Sequence, residues 1–119
     1  MLQVLATTLH VPPSQVHVYD PCMTAEELAV MAAAGYTAIG TNEECKRAVD
    51  SPTLFYMVHC GLDMYNNVLW ANWKSSQLHN VVVLGNSFSG YNERAMSTSF
   101  PDKARYVCVP MIKHAHWSA

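Results

Sequence analysis

The sequence has few charged residues, no excess of positive charge and no dense catalytic motif. Only 13% of its 119 residues are charged, about half of the roughly 25% that is usual, whereas 50% are hydrophobic. This composition excludes a disordered chain, and it indicates apolar surface that meets a partner or a missing segment. Because the formal net charge is -2, nucleic acid is not expected as a partner.

Metal-binding and membrane-spanning patterns are also missing. The cysteines stand at positions 22, 45, 60 and 108 and form no C-x-x-C pair, which excludes a zinc ribbon and a thioredoxin-type motif. His114 and His116 are only two ligands on a tail, so no metal site is predicted. No apolar run approaches the ~20 residues that span a bilayer, and residues 1–11 make a poor signal peptide. Reduced thiols in a cytoplasmic or nuclear protein are expected.

Helix and strand patterns alternate along the chain and predict an α/β fold. A capping box at Thr24 and Glu27 opens one helix, and Gly35 is a natural left-handed stop for it. The third and fourth strands are continuous apolar runs, which is typical of parallel strands covered on both faces. The predicted strands cover residues 16–19, 36–39, 53–57, 81–84 and 105–109, and the predicted helices cover 1–10, 24–35, 41–49, 62–73 and 91–96.

Together these elements predict a Rossmann-like three-layer sandwich with a mainly parallel sheet. Residues 1–110 are assigned to one α/β domain and residues 111–119 to a C-terminal tail. Parallel sheets bind ligands outside the carboxyl ends of their strands. Short polar side chains follow these ends, and they are the candidate ligand-binding residues: Asp20, Asn42, His59, Cys60, Asn86 and Ser87.

Asp20 closes the first strand, where dinucleotide-binding folds often keep an acid for a ribose hydroxyl. The alternative is an Asp-Pro turn in which the carboxylate holds nearby amides, and this alternative is favoured. No G-x-G-x-x-G loop supports a nucleotide site, since the glycines at 85 and 90 have the wrong spacing and place.

His59 and Cys60 form either a soft ligand pair or a base and a thiol nucleophile, and haem binding through them is a further option. Joint action requires a turn, for which Gly61 is suited. The favoured interpretation is a loop histidine beside a buried, inert cysteine. Ser87 lies outside any G-x-S-x-G elbow and is expected to cap a helix that begins near Phe88.

The helix over residues 62–73 carries amides and indoles among apolar residues. Asn72 falls inside the apolar arc, so its amide is expected to bond neighbouring backbone. Trp70 faces outward and is a candidate partner contact, unless a loop or the C-terminal tail covers it. The arc expected to face the sheet contains Leu62, Tyr65, Val68, Leu69 and Trp73, and the outward set contains Asp63, Asn66, Asn67 and Trp70.

Several motifs, in order from about residue 16 to residue 94, resemble the SRR-like domain family, named for sensitivity to red light reduced in plants. They are Tyr19-Asp20-Pro21, Asn42-Glu43 with Lys46-Arg47, the stretch 52–57, His59-Cys60, Tyr65-Asn66-Asn67, Asn72-Trp73 and the stretch 85–88. The resemblance implies a regulatory protein of cytoplasm and nucleus, linked to circadian rhythm and light signalling in plants, and to haem biosynthesis and clock-gene expression in animals. The family has no established catalytic residues, so none is carried over.

Two departures from the family pattern affect this interpretation. Family domains begin with a strand and a glycine-containing loop that this chain lacks, which implies a domain incomplete at its N-terminus: a fragment, a short isoform or a shortened member. Val58 also replaces the proline of a Met-Pro-His-Cys pattern, so the turn that presents His59 is expected to be less rigid.

The leading hypothesis is a non-enzymatic regulatory protein that acts through a protein partner or a bound small ligand. The rival is a Rossmann-like enzyme or nucleotide-binding protein, with Asp20, His59 and Asn86 as polar groups at the strand ends. The missing glycine loop counts against the rival, and the cluster of polar residues at the strand ends counts in its favour.

Overall fold

Short helices and parallel strands alternate along the computed structural model, which describes residues 1–88 and Tyr106. The chain divides into a first unit, Met1–Asn42, and a second unit, Glu43–Ala119. The first unit contains α1 (Leu2–Thr8), a 3-10 turn (Pro13–Gln15), β1 (His17–Val18), α2 (Ala25–Ala33) and β2 (Thr37–Ala38). The second contains β3 (Thr53–Met57), α3 (Leu62–Ala71), α4 (Ser75–Leu78) and β4 (Val81–Gly85).

In the first unit, α2 connects the parallel strands β1 and β2. The predicted capping box is confirmed: the Glu27 amide donates to Thr24 Oγ1 over 3.2 Å, and the Thr24 amide donates to the Glu27 carboxylate over 2.8 Å. Gly35 ends the helix at φ 81° in a Schellman motif, with the Tyr36 amide bonded to the Met31 carbonyl over 3.0 Å. These local signals fix the boundaries of α2.

In the second unit, β3 and β4 pair in parallel from Thr53 with Val81 to Met57 with Gly85. One face of this pair packs on α3 around a buried core. The opposite face carries exposed apolar side chains, because successive side chains of a strand point to opposite faces. The core residues are Met57, Tyr65, Val68 and Leu69, and the exposed set includes Tyr56, Val82 and Leu84.

The predicted α/β class and the parallel pairing of strands are confirmed. β3 occupies the predicted residues, and α3 ends two residues earlier than predicted. The described residues form two two-stranded sheets, and α4 was not predicted. No helix in the described part of the chain has the length and hydropathy to cross a membrane.

The helix predicted over residues 91–96 lies outside the described residues. Of the strand predicted over residues 105–109, only Tyr106 is described, and it is helical, so the strand assignment is wrong at that position.

The helix predicted over residues 41–49 is also wrong. Glu44 and Cys45 have φ values of 49° and 60°, a left-handed conformation that a right-handed helix excludes. Only a turn forms there, in which the Lys46 amide donates to the Glu43 carbonyl over 2.8 Å. Side chains from α3 bind other backbone groups of this segment, as described below.

Candidate functional site

The candidate site in the second unit is built on the turn between β3 and α3, which holds the His-Cys pair. His59 adopts φ 67°, and the Cys60 amide donates to the Met57 carbonyl over 3.2 Å. Gly61, at φ −70°, is the N-cap residue of α3. The expected turn is therefore present, but the left-handed residue that makes it is His59 and not Gly61.

Asn86, directly after β4, holds this turn by its side chain. Its Oδ1 accepts a hydrogen bond from the His59 amide over 3.3 Å, and its Nδ2 donates to the Cys60 carbonyl over 3.5 Å. Both partners are backbone groups. Asn86 thus connects the carboxyl ends of β3 and β4 and fixes the path of the chain through His59 and Cys60.

The hydroxyl of Tyr65 makes a second connection between the same strand ends. It donates to the Met57 carbonyl and accepts from the Asn86 amide over 2.9 Å. Its ring is buried and meets Phe88 edge to face, with centroids 5.4 Å apart. A Cβ at Gly85 would lie 2.8 Å from Cε1 of Tyr65, so only glycine fits at the end of β4.

The His-Cys pair itself contributes an exposed imidazole at His59 and a partly buried thiol at Cys60. A second thiol, Cys45, packs against the same core, and burial raises its pKa, with smaller contributions from Cys60, Asp63 and Glu43. A thiol held in its neutral form is a poor nucleophile. Among the described residues, no three His, Cys, Asp or Glu side chains are grouped to hold a metal ion.

Asp20 and Asn42 belong to the first unit, whereas the other four candidates belong to the second. Asp20 Oδ1 accepts from the Cys22 amide over 2.8 Å, and its carbonyl accepts from the Met23 amide over 3.2 Å. The favoured Asp-Pro turn is therefore confirmed. Ser87 directly precedes helical Phe88, at the position of an N-cap.

Asn72 is the C-cap residue of α3. Its side-chain amide forms hydrogen bonds with backbone groups, so the prediction for this residue is confirmed. The side chain is fully buried; Oδ1 accepts from the Val49 amide, and Nδ2 donates to the Arg47 and Val68 carbonyls, each over 2.8 Å. Asn67 donates to the Glu44 carbonyl over 2.8 Å. Two asparagines of the α3 region therefore satisfy backbone groups of the segment 44–49, where a helix was predicted.

Two residues near α3 differ from the predicted arrangement. Asn66 was placed on the outward face, yet it is 7% exposed, and its Oδ1 accepts from the Tyr106 amide over 2.8 Å. Trp73 was placed in the arc facing the sheet, yet it lies beyond the end of α3, is 39% exposed, and packs against the Tyr106 ring with centroids 4.9 Å apart. The predicted helix ran past Ala71, and the predicted arc continued with it.

Trp70 is 52% exposed, as predicted from its outward position. Asn66 and Trp70 are four residues apart and lie on one face of α3, and Trp73 follows just beyond the end of the helix. Tyr106 contacts the first and last of these three, and the indole between them keeps half of its surface open.

The sequence interpretation missed the polar role of Tyr65, which was assigned to the apolar arc alone. A tyrosine at a core position predicts that its hydroxyl makes a hydrogen bond, because a buried phenolic hydroxyl requires a partner and phenylalanine would otherwise pack equally well. It also missed the proximity of Cys45 to Cys60, because these residues are far apart in sequence and no local spacing connects them.

Nearly the whole chain is similar to proteins of one known family. The SRR1 domain family matches residues 1–116. The chain is 43% identical to the SRR1-like protein of Mus musculus over 98 residues, which cover 82% of this chain and 39% of the mouse protein. It is 37% identical to Protein SENSITIVITY TO RED LIGHT REDUCED 1 of Arabidopsis thaliana over 79 residues, which cover 66% of this chain and 29% of that protein.

The chain thus spans less than half the length of these two curated relatives. No solved structure matches it. The family match nevertheless includes the strand ends, the β3–α3 turn and all of α3, and the predicted family resemblance is confirmed. The chain belongs to the SRR1 domain family.

Proposed function

We propose that this member of the SRR1 family is a regulatory protein that acts by binding a protein partner through the exposed indole of Trp70 on α3. The observation that carries the proposal is the half-exposed indole of Trp70 on a helix whose opposite side is buried. Exposed tryptophans are enriched among the residues that dominate binding energy at protein interfaces.

The contacts around α3 support this proposal because they fix the helix that presents Trp70. Tyr65 connects it to both strand ends, while Asn67 and Asn72 connect it to the segment 44–49. A side chain presented from a rigid element loses less conformational entropy on binding than one on a loop. The low charge of the chain agrees with a surface that is covered in use.

The polar groups at the strand ends support a structural role over the rival enzyme. The side chain of Asn86 is bonded to two backbone groups of the β3–α3 turn, and Asp20 Oδ1 holds its own turn. Neither arrangement pairs a nucleophile with a base, the geometry that covalent catalysis requires. We therefore assign no reaction to these residues.

The proposed role extends to circadian clock-gene expression and haem biosynthesis, in cytoplasm and nucleus. The proposed fold of the complete domain is a Rossmann-like three-layer sandwich, which the parallel pairing of β3 with β4 supports. Haem as a bound ligand is tested separately by titration with haemin. A Soret shift that persists in both His59→Ala and Cys60→Ala would remove these residues as ligands.

The partner proposal is tested by comparing Trp70→Ala with Tyr56→Ala. The second variant is a matched control, because Tyr56 is 37% exposed on the sheet face that does not pack against α3. Each tagged chain replaces the endogenous protein in cells, and quantitative cross-linking mass spectrometry follows proteins joined to it. Clock-gene reporter rhythm and haem precursors are measured in the same cells.

We expect the amount of the principal cross-linked partner to fall at least about tenfold in Trp70→Ala, as for an interface hot spot. The clock-gene reporter rhythm or the level of haem precursors should change in the same cells. Tyr56→Ala should behave as the unaltered chain. Equal retention of the partner by Trp70→Ala would contradict the proposal.

A further inference from the structure

The first unit contains an open pocket of about 290 Å³ at the carboxyl ends of β1 and β2. Its walls are largely apolar, with contributions from Val18, Met23, Leu28 and Ile39, and Asp20 is the charged residue among those that line it. This volume is just below the range of about 300–1,000 Å³ found for ligand pockets, which favours a small ligand. The position is where parallel strands place ligands.

The charged side chains at this pocket indicate which ligands it favours. Residues 1–42 contain no lysine and no arginine, and their acidic side chains are Asp20, Glu26 and Glu27. Both glutamates lie in the first turn of α2, and neither lines the pocket. The Glu27 amide at this helix end is bonded to Thr24. The residues that line the pocket thus present one acidic side chain and no basic one, which favours a positively charged ligand over a phosphate or a carboxylate.

Asp20 is held in place without losing its capacity to accept hydrogen bonds. Its Oδ1 accepts a hydrogen bond from the Cys22 amide over 2.8 Å, which fixes the carboxylate just after β1. An ionised carboxylate has about four lone-pair sites, so acceptor capacity remains for a ligand.

We propose that this pocket binds a small organic cation: a protonated amine that contacts the Asp20 carboxylate, attached to an apolar body that lies against Val18, Leu28 and Ile39. The apolar walls bind the body, and the carboxylate selects the charge of the head group. The proposal concerns residues of the first unit alone and does not depend on the partner role of Trp70.

The ligand class is tested on the full chain with three probes of similar shape and different charge. They are 2-phenylethylammonium, the neutral 2-phenylethanol and the anionic 3-phenylpropionate, and backbone amide NMR shifts report weak binding residue by residue. We expect shifts at the pocket residues and an affinity for the amine at least about threefold above that for the alcohol, with the anion weakest. Added salt should weaken amine binding only. Equal affinities for all three probes would overturn the proposal.

Two variants test the residues. Asp20→Asn retains a carbonyl oxygen for the Cys22 amide and removes the charge, so the amine should bind no better than the alcohol. Gly40→Leu adds a side chain at a pocket residue whose Cβ would meet no atom within 4 Å, and it should abolish binding of both. Unchanged shifts elsewhere in the spectrum establish that each variant is folded. Preference for the amine in Asp20→Asn, or undiminished binding in Gly40→Leu, would overturn the proposal.

Discussion

The two units are stabilised in different ways. In the second unit, the side chains of Tyr65, Asn72 and Asn86 bond groups that lie 21 to 27 residues away in the sequence. In the first unit, the side-chain bonds of Asp20 and Thr24 reach only two or three residues. Its buried apolar residues are Val16 and Val18 alone among those described. Single substitutions should therefore have larger and more widespread effects in the second unit.

The largest effect is expected for Asn72→Leu. The leucine fills a similar volume but leaves the Val49 amide and the Arg47 carbonyl without their partner in a buried place. We expect a loss of about 2–4 kcal/mol in the free energy of unfolding of the second unit, since each buried unsatisfied group costs roughly 1–3 kcal/mol. Urea denaturation followed by circular dichroism measures it.

Asn67→Ala is the matched control, since it removes a single bond from a partly exposed position and should cost about 1 kcal/mol or less. Hydrogen exchange should show faster opening of the segment 44–49 in Asn72→Leu and little change in the first unit. Equal losses for the two variants would show that the buried asparagine has no special role.

The next largest effect on stability is expected for alanine at Gly85 in the second unit, compared with alanine at Gly40 in the first unit. A Cβ at Gly85 meets the Tyr65 ring at 2.8 Å and the Met57 carbonyl at 3.0 Å, whereas a Cβ at Gly40 meets nothing within 4 Å. Because Tyr65 is 1% exposed and cannot move aside, Gly85→Ala should cost about 1–3 kcal/mol. Gly40→Ala should stay within about 0.5 kcal/mol. Thermal unfolding of both variants measures the difference, and similar melting temperatures would contradict the prediction.

A smaller effect is expected at His59, whose φ of 67° is unfavourable for a residue with a side chain. His59→Gly should raise stability by about 0.5–1 kcal/mol, since relief of left-handed strain exceeds the added entropy of the unfolded chain. His59→Val should lower it by about 1–2 kcal/mol, because a β-branched residue tolerates this conformation least. Both variants keep the backbone amide that binds Asn86. Denaturation midpoints in the order Val, His, Gly would support this; the reverse order would reject it.

The smallest effect concerns thiol ionisation. Burial raises the pKa of Cys45, with smaller electrostatic contributions from Cys60, Asp63 and Glu43. Iodoacetamide should therefore modify Cys45 more slowly than exposed Cys22 at pH 8, as mass spectrometry of the labelled peptides would report. Faster labelling of Cys45 would contradict the shift.

The same shift makes stability depend on pH. The pKa of Cys45 is higher in the folded state than in the unfolded chain. The contribution of this thiol to the free energy of unfolding is therefore fully present below the unfolded pKa of about 8.5. It is lost as the pH rises through the folded pKa. Cys45→Ser should weaken this decline in urea midpoints above pH 8.5, whereas an identical decline in the variant would exclude Cys45 as its source.

Local and periodic features could be predicted from the sequence, whereas contacts between residues far apart in the sequence could not. The capping box of α2, its stop at Gly35 and the bounds of β3 follow from short-range rules, and the structure agrees with each. Asn72 was predictable as well, because an amide inside an apolar arc requires backbone partners. The identity of those partners, at Arg47 and Val49, was not encoded in any local pattern.

The helix predicted over residues 41–49 failed for the same reason. Its sequence has a good N-terminal capping pattern, but α3 offers its backbone other partners, and two left-handed residues accommodate them. The burial of Asn66 depends on Tyr106, which is 40 residues away in sequence. The assignment of Trp73 was wrong because α3 ends at Ala71.

The bonds that Asn67 and Asn72 make to the segment 44–49 have a consequence for how this region tolerates change over evolution. Both asparagines bond main-chain atoms, at Glu44, Arg47 and Val49, and every residue type except proline has the same main-chain donor and acceptor. Substitutions other than proline at the exposed positions Lys46 and Ala48 should therefore be tolerated. An insertion or deletion of one residue between positions 44 and 49 would move a carbonyl or an amide away from its asparagine. The length of this segment, more than its composition, should be the property that related sequences keep.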